Sequence, residues 1–243
     1  MRMPLLGVII EHLEPVLSRW LFLEYKHAAR LAKPVPLIIT NVKNPREREY
    51  LTRYVYAREE SVAELGIPPE SLIVLDPQAP APLTPEDFKE ERYVVVGGIM
   101  GDYPPRGRTK KLLTGRLRGA QARNIGRGQF PIDCAVYMAV SVARGLKLED
   151  IPVLENLEIK TSSYHSIILP YSYPLYMGGP LISREVIEYL LYGVETDEAL
   201  AVREGRMPSV AGKNYSKRGQ KSSEPSLSLP PFLLPWLPLR ISP

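Results

Sequence analysis

The segment at residues 97–109 reads GGIMGDYPPRGRT and directly follows the apolar run YVVV at residues 93–96. Glycines let backbone amides approach a ligand closely, because no Cβ intervenes and positive φ is permitted. Two more loops, at residues 75–77 and 124–133, follow strand-like runs. None of the three matches GxGxxG or GxxxxGK[ST], which argues against a standard dinucleotide or P-loop site. The loops therefore predict a site for another nucleoside-like ligand.

The apolar runs that precede these loops indicate a parallel sheet. Residues 5–10, 36–40, 72–76 and 93–99 are short, β-branched and apolar on both alternations, as in strands that are buried on both faces. A fifth strand is expected at residues 120–125. Ligands in open α/β sheets collect at the carboxyl ends of the strands, where all three loops begin.

Helical patterns lie between the strands. Ser18 can cap a helix that continues to about Ala32, with Trp20, Leu23, His27 and Leu31 on one face. Ser61 and Thr84 can begin shorter helices. Residues 130–144 predict a helix with Pro131 and Asp133 in its first turn, and residues 183–192 predict another. Between these two helices, residues 154–181 indicate a looser antiparallel or loop region. The expected fold class is α/β, with a mostly parallel sheet flanked by helices.

Composition limits the class of protein. The 243 residues are 44% hydrophobic and 24% charged, which suits one globular domain with an appendage. The single cysteine, Cys134, excludes an internal disulfide framework and a cysteine-based zinc site, so we expect no metal. No apolar run reaches the roughly 18 residues of a membrane span, and no secretory signal begins the chain. A cytoplasmic protein without a membrane partner is expected.

Charge is distributed unevenly. The net charge is +4, yet residues 103–127 carry eight Lys or Arg and no acid, whereas residues 64–91 carry seven acids and one lysine. A polyanion could bind such a basic face, and a solvated surface is the plain alternative.

The composition changes at Gly205. Residues 205–243 are rich in Pro, Ser and Lys, and prolines interrupt the apolar end of the chain, so it cannot form a helix. We expect one domain at residues 1–204, followed by a tail at residues 205–243 that is extended or disordered.

Four motifs together resemble a known family. In order, they are IIEHLEPVLSRWLFLEY at residues 9–25, LDP at 75–77, GGIMGDYPPRGRT at 97–109 and IGRGQFPIDCA at 125–135. This set is similar to the SPOUT class of trefoil-knotted methyltransferases, in the branch of predicted RNA methyltransferases that includes a ribosomal-protein arginine methyltransferase. The resemblance runs from about Gly7 to about Leu191. It implies a C-terminal knot, a topology that periodicity cannot reveal.

The resemblance also implies that S-adenosylmethionine (SAM) binds among the three loops. The residues that it assigns to the cofactor are Leu75, Asp76, Pro77, Gly97, Gly98, Gly101, Asp102, Arg108, Ile125, Gly126, Gln129, Phe130 and Ala135. Methyl transfer from a sulfonium depends mainly on alignment of the acceptor. A neutral acceptor must also lose a proton, so a carboxylate or imidazole is expected near the methyl group.

The candidates for this catalytic role are Glu11, His12, Glu24 and Asp102. Glutamates near the methyl group could bind an arginine guanidinium by paired hydrogen bonds. Asp102 could equally tie down its own loop, and His12 could be a buried structural histidine.

Two classes of function follow from the resemblance. The first is a methyltransferase that acts on the translation machinery, with a ribosomal-protein arginine or RNA as acceptor. The second is a catalytically inactive, cofactor-binding knot protein that serves as an interaction scaffold. The chain could act as a monomer or a homodimer.

Overall fold

A computed structural model of the chain describes residues 4–101, 104, 106–161 and 163–212. In this part, six parallel strands form one sheet in the order β3-β2-β1-β5-β4-β6. The strands are β1 Leu5–His12, β2 Leu37–Thr40, β3 Tyr56–Ala57, β4 Leu72–Leu75, β5 Arg92–Gly98 and β6 Gln121–Arg123. The five predicted strands and the α/β class with a parallel sheet are confirmed, and the two-residue β3 is an addition.

Strand register places the first candidate residues beside the glycine loop. On the two central strands, Glu11 pairs with Gly97 and His12 pairs with Gly98. Since adjacent residues of a strand point to opposite faces, Glu11 and His12 must project to different sides of the sheet.

The two faces of the sheet are covered differently. One face packs against helices α1 Arg19–Ala32 and α3 Ile132–Ala143, through residues such as Val8 and Val94. The opposite face buries Ile9 and Val95 under a short π-helical turn, Lys110–Thr114. Helix α2 Pro45–Leu51 follows β2.

The predicted helix starts are largely confirmed. Ser18 caps α1, and its hydroxyl accepts a hydrogen bond from Leu21 N at 3.3 Å. Pro131 occupies the cap position of α3 and so precedes the first turn in which it was expected. Ser61 and Thr84 each begin a single 3₁₀ turn and not a helix.

The C-terminal part adds an antiparallel sheet and two helices. Strands β7 Val153–Lys160, β8 Ser166–Tyr176 and β9 Gly179–Pro180 form the sheet where the looser region was expected. Helix α4 Arg184–Tyr192 begins after its predicted cap, Ser183, and α5 Val194–Glu204 follows.

The first residues of the expected tail pack against the body. Val210 is buried, and its amide donates to Leu17 O at 3.0 Å. The hydroxyl of Ser209 donates to Glu47 Oε1 at 2.5 Å. Residues 213–243 lie outside the described residues, so the domain boundary at 204/205 and the knot both stay predictions.

Candidate active site

A cleft opens at the carboxyl ends of β4, β5 and β6. Its walls are the loops after these three strands, together with the start of α1 and the start of α3. The lining includes Trp20, Glu24, Gln78, Ile99, Met100, Arg106, Gly107, Thr109, Arg127, Gly128, Pro131, Ile132 and Tyr171, besides predicted cofactor residues. All three predicted loops therefore converge on one site.

Most predicted cofactor residues line this cleft. Those in the lining are Leu75, Asp76, Pro77, Gly97, Gly101, Arg108, Ile125, Gly126, Gln129, Phe130 and Ala135. Asp102 lies outside the described residues. Gly98 is absent from the described lining, and a Cβ at this position would meet the Tyr25 hydroxyl and lie 2.8 Å from Glu11 O. Gly98 therefore lets α1 pack closely on the sheet.

Glu24 is the candidate carboxylate that the fold brings into the cleft. Its Oε1 accepts a hydrogen bond from Trp20 Nε1 at 2.7 Å, and its Oε2 accepts one from Ile132 N at 3.0 Å. The side chain is buried, and burial together with the nearby charge of Asp133 raises its pKa to about 8. Glu24 is thus a fixed carboxyl group that can exchange a proton near neutral pH.

A buried, hydrogen-bonded pair lies behind Glu24. His27 Nδ1 lies 2.6 Å from Asp133 Oδ2, and both residues are buried between α1 and α3. Asp133 directly follows Ile132, whose amide bonds Glu24, so the pair anchors the start of α3 beside the catalytic candidate. The sequence pattern predicted that Asp133 lies in the first turn, but it gave no sign of the pairing with His27.

Glu11 lies on the other face of the sheet. Its Oε2 accepts hydrogen bonds from Thr40 Oγ1 at 2.5 Å and Val62 N at 2.9 Å, and its Oε1 accepts one from Ser61 Oγ at 2.5 Å. Both carboxylate oxygens are therefore engaged in joining β1 to β2 and to the turn after Ser61. The described cleft lining does not include Glu11, and the geometry assigns it to structure.

His12 is also held away from the cleft lining. Its Nδ1 lies 3.0 Å from the Tyr25 hydroxyl, and burial lowers its pKa to about 4. A neutral, buried imidazole that is bonded to a tyrosine fits the structural alternative for His12. Of the described catalytic candidates, only Glu24 lines the cleft.

Glu14 organises the glycine loop and was not predicted. Its Oε1 accepts hydrogen bonds from Met100 N at 2.8 Å and from Arg108 Nη1 at 3.0 Å. Arg108 also donates to Met100 O. Arg108 therefore clamps the loop after β5 to the loop after β1. Since Met100 is 86 positions from Glu14, local sequence patterns could not reveal this contact.

The cleft fits the adenosyl cofactor that the motifs imply. Gln129 Oε1 is buried and has no hydrogen-bond partner among the described residues, so it is available to a ligand donor. Gly126 has a φ of 115°, which a side chain would strain, and only Phe130 lies near the position of its absent Cβ. The apolar side chains of Leu75, Ile125 and Ala135 could flank an adenine ring.

Residues 7–197 match the family model described as Protein arginine N-methyltransferase SFM1-like. The chain belongs to this family. The predicted branch and the predicted enzyme class, a SAM-dependent methyltransferase, are thereby confirmed. Among the described residues, no cluster of three or more metal-ligating side chains occurs, and no helix is long and apolar enough to cross a membrane.

Yeast relatives support this assignment. The chain is 27% identical over 197 residues to Protein arginine N-methyltransferase SFM1 of Saccharomyces cerevisiae, covering 75% of this chain and 92% of the relative. The crystal structure of yeast SFM1 complexed with SAM has a TM-score of 0.68 at 26% identity, covering 80% and 92%. The complex with SAH has a TM-score of 0.65 at 27% identity, covering 72% and 90%.

Proposed function

We propose that this chain transfers a methyl group from SAM to the guanidinium of an arginine in a protein of the translation machinery. The observation that carries the proposal is the buried carboxyl group of Glu24, fixed in the wall of the cleft beside the loops of the cofactor site. Family membership supports arginine as the acceptor. The translation machinery as the source of that arginine comes from the motif resemblance alone.

Proton balance explains why a carboxylate is required. When bound, SAM supplies a methyl group that is already activated on a sulfonium. A guanidinium that gains this methyl remains a cation, so one N–H proton must leave. Glu24 is the carboxyl group of the cleft wall that could accept it, once the bound guanidinium has favoured its ionised form.

In this proposal, the protonation state of Glu24 changes when an arginine binds. In the free protein, burial and the charge of Asp133 favour the protonated carboxyl. A guanidinium in contact favours the ionised form, so the carboxyl would release its own proton to solvent as the acceptor binds and would then accept the N–H proton of the guanidinium. The indole of Trp20, which lines the same cleft, can stack against the planar cation.

The described residues of the cofactor site have separable roles in this proposal. Leu75, Ile125, Phe130 and Ala135 would enclose the adenine, and Gln129 Oε1 would accept a hydrogen bond. Gly126 would present its backbone. Asp76 is already engaged, because its oxygens accept hydrogen bonds from Thr114 Oγ1 at 2.7 Å and Gln78 N at 2.9 Å, so it would shape the loop.

The proposal is tested by following the methyl group. Purified protein is incubated with methyl-labelled SAM and a ribosome-containing extract, and the label is separated into protein and RNA fractions. We expect methylarginine in the protein fraction, and we expect Glu24→Gln to form it about 30- to 1000-fold more slowly. Label in RNA alone would show an RNA acceptor, and label in neither fraction, with cofactor binding retained, would favour the scaffold alternative.

A further inference from the structure

Six exposed cations lie in or beside the turn Lys110–Thr114 and at the mouth of the cleft. This group, the basic face, consists of Arg106, Lys110, Lys111, Arg116, Arg118 and Arg127. Arg106 and Arg127 line the cleft itself, so the basic face adjoins the site. It accounts for six of the eight cations in the acid-free stretch at residues 103–127.

The other two cations of this stretch are neutralised within the protein. Arg108 pairs with Glu14 at 3.0 Å, and Arg123 pairs with Asp87 at 2.7 Å. Hydrogen bonds from Arg123 help to hold the pKa of Asp87 below its usual range, despite the opposing effect of burial. Arg123 therefore does not belong to the surface that could meet a polyanion, although the sequence alone placed it there.

None of the six cations of the basic face forms an ion pair with a described residue. Many other cations of the described chain do form one. Lys26 and Arg30 both pair with Glu185, and further pairs neutralise Lys43, Arg48, Arg53, Arg58, Arg92, Lys147, Arg184 and Arg203. Like charges that are close together repel one another, so a partner of opposite charge would relieve an unfavourable interaction.

Apolar packing beneath residues 110–118 fixes the direction of the basic side chains in this segment. Leu113 and Leu117 are only 2% and 8% exposed, and they join Ile9 and Val95 in the small core on this face of the sheet. Lys110, Lys111, Arg116 and Arg118 surround these two leucines in sequence and are exposed. The segment is therefore anchored on its apolar side and presents its cations to solvent.

We propose that the basic face binds the phosphate backbone of RNA. An array of unpaired Lys and Arg supplies a sequence-independent electrostatic contact with a chain of phosphates. Binding to an anionic membrane would also require apolar side chains beside the cations. The large exposed apolar residues of the described chain, such as Tyr56, Tyr164 and Met177, lie outside residues 106–127. An arginine acceptor would then be methylated next to bound RNA.

The test removes four cations that lie outside the cleft. A variant with Lys110→Gln, Lys111→Gln, Arg116→Gln and Arg118→Gln is compared with a control, Arg46→Gln, Lys89→Gln, Lys160→Gln and Arg206→Gln. All eight residues are exposed and lack ion pairs to described residues, so both variants lose the same charge. The affinities for a labelled single-stranded RNA, a duplex RNA and a duplex DNA are measured by fluorescence anisotropy between 50 and 200 mM salt, a range over which such contacts weaken strongly.

We expect the unmodified protein to bind RNA with a steep salt dependence. If six cations of the unmodified protein contact phosphates, this rise in salt should weaken single-strand binding about 300-fold. In the variant, where two such cations remain, the same rise should weaken binding only about 7-fold. The control should behave as the unmodified protein. SAM affinity and the melting temperature should match between the two variants, because neither changes the cleft or the core.

Several results would overturn the inference. These are no RNA binding at low salt, equal loss in both variants, a preference for duplex DNA over both RNAs, or binding to anionic vesicles with no binding to RNA. The inference does not rest on arginine methylation, and methyl transfer to protein is measured on the same samples. Methylation without RNA binding overturns only this inference, whereas RNA binding without methylarginine overturns only the proposed function.

Discussion

The indole Nε1 of Trp20 donates a hydrogen bond of 2.7 Å to Glu24 Oε1, one turn further along α1. The other oxygen of the same carboxyl group is fixed by the first amide of α3, at 3.0 Å. Two elements that are distant in sequence thus hold one acid in place. Because the group is preorganised, no rearrangement of Glu24 is required when an acceptor enters.

Trp20→Phe tests whether the indole N–H supports catalysis. Phenylalanine retains an aromatic ring in the edge contact with Tyr189 but removes the donor to Glu24. Loss of one hydrogen bond to the carboxylate should lower kcat about fivefold to tenfold at neutral pH. It should also raise the pKa of Glu24, since this bond favours the ionised form. A pH–rate profile whose midpoint moves to lower pH would contradict the assignment.

Glu24→Gln and Glu11→Gln should have different consequences. Removing the proposed base at Glu24 should slow methylation about 30- to 1000-fold with nearly unchanged SAM affinity, since the loops of the cofactor site are intact. Glu11→Gln should instead lower stability by about 1–3 kcal/mol, because the amide NH2 that replaces one carboxylate oxygen cannot accept the hydrogen bonds donated to that oxygen. Kinetics, calorimetry and thermal unfolding of both variants provide the comparison. Normal turnover by Glu24→Gln would refute its catalytic role.

Stability should fall with rising pH above about 6.5. The folded protein keeps a proton on Glu24 up to about pH 8, whereas the unfolded chain releases it near 4.5, so the folded state binds more protons between these values. His12 has the opposite effect on stability, because burial lowers its pKa to about 4 in the folded state. Its contribution makes stability rise with pH, but only between about pH 4 and 6.5. Between pH 6.5 and 8, Glu24 should therefore cost about 1–2 kcal/mol of unfolding free energy. Denaturant unfolding should show this decline, and Glu24→Gln should remove it.

The division between predicted and unpredicted features follows from the range of each interaction. Helix α1 was predicted because Ser18 and the apolar spacing act within a few residues, and the strands were predicted from their apolar runs. The two-residue β3 is too short to leave a pattern. The clamp from Glu14 to Met100 and the pair of His27 with Asp133 depend on tertiary packing, which local periodicity does not encode.

One error could have been avoided from strand geometry alone. Glu11 and His12 are neighbours on β1, so their side chains project to opposite faces, and both could not have faced one site. The structure places Glu11 with Thr40 and Ser61, and His12 with Tyr25. Which face carries the cleft depends on where α1 and α3 pack, and this information is not local to the strand.

Gly98→Ala should be a packing defect and not a specific defect in cofactor binding. The new Cβ would lie 2.8 Å from Glu11 O and against the Tyr25 hydroxyl, and backbone on a central strand cannot move away easily. We expect a loss of about 1–3 kcal/mol in stability. Gly97→Ala is the matched control, because its Cβ would meet side chains and no backbone: the movable end of Ile99 at 3.3 Å, and Leu113 Cδ2 at 3.8 Å, an ordinary contact. Equal melting temperatures for the two variants would contradict this role of Gly98.

Truncation after Gly212 and truncation after Glu204 should differ sharply. Residues 213–243 lack any periodicity that a core could use, so we expect their removal to leave the melting temperature nearly unchanged.

Truncation after Glu204 also deletes two residues that contact the body of the protein. These are Val210, which is 3% exposed and whose amide donates a hydrogen bond to Leu17 O, and Ser209, whose hydroxyl donates one to Glu47. Glu47 Oε1 also accepts a hydrogen bond from Leu17 N at 3.0 Å, and Leu17 directly precedes the cap Ser18, so this shorter chain should loosen the entry to α1. We expect a fall of several degrees and a lower methylation rate, measured by calorimetry and by methyl transfer at 25 °C. A large fall already after Gly212 would show that the last 31 residues belong to the folded body.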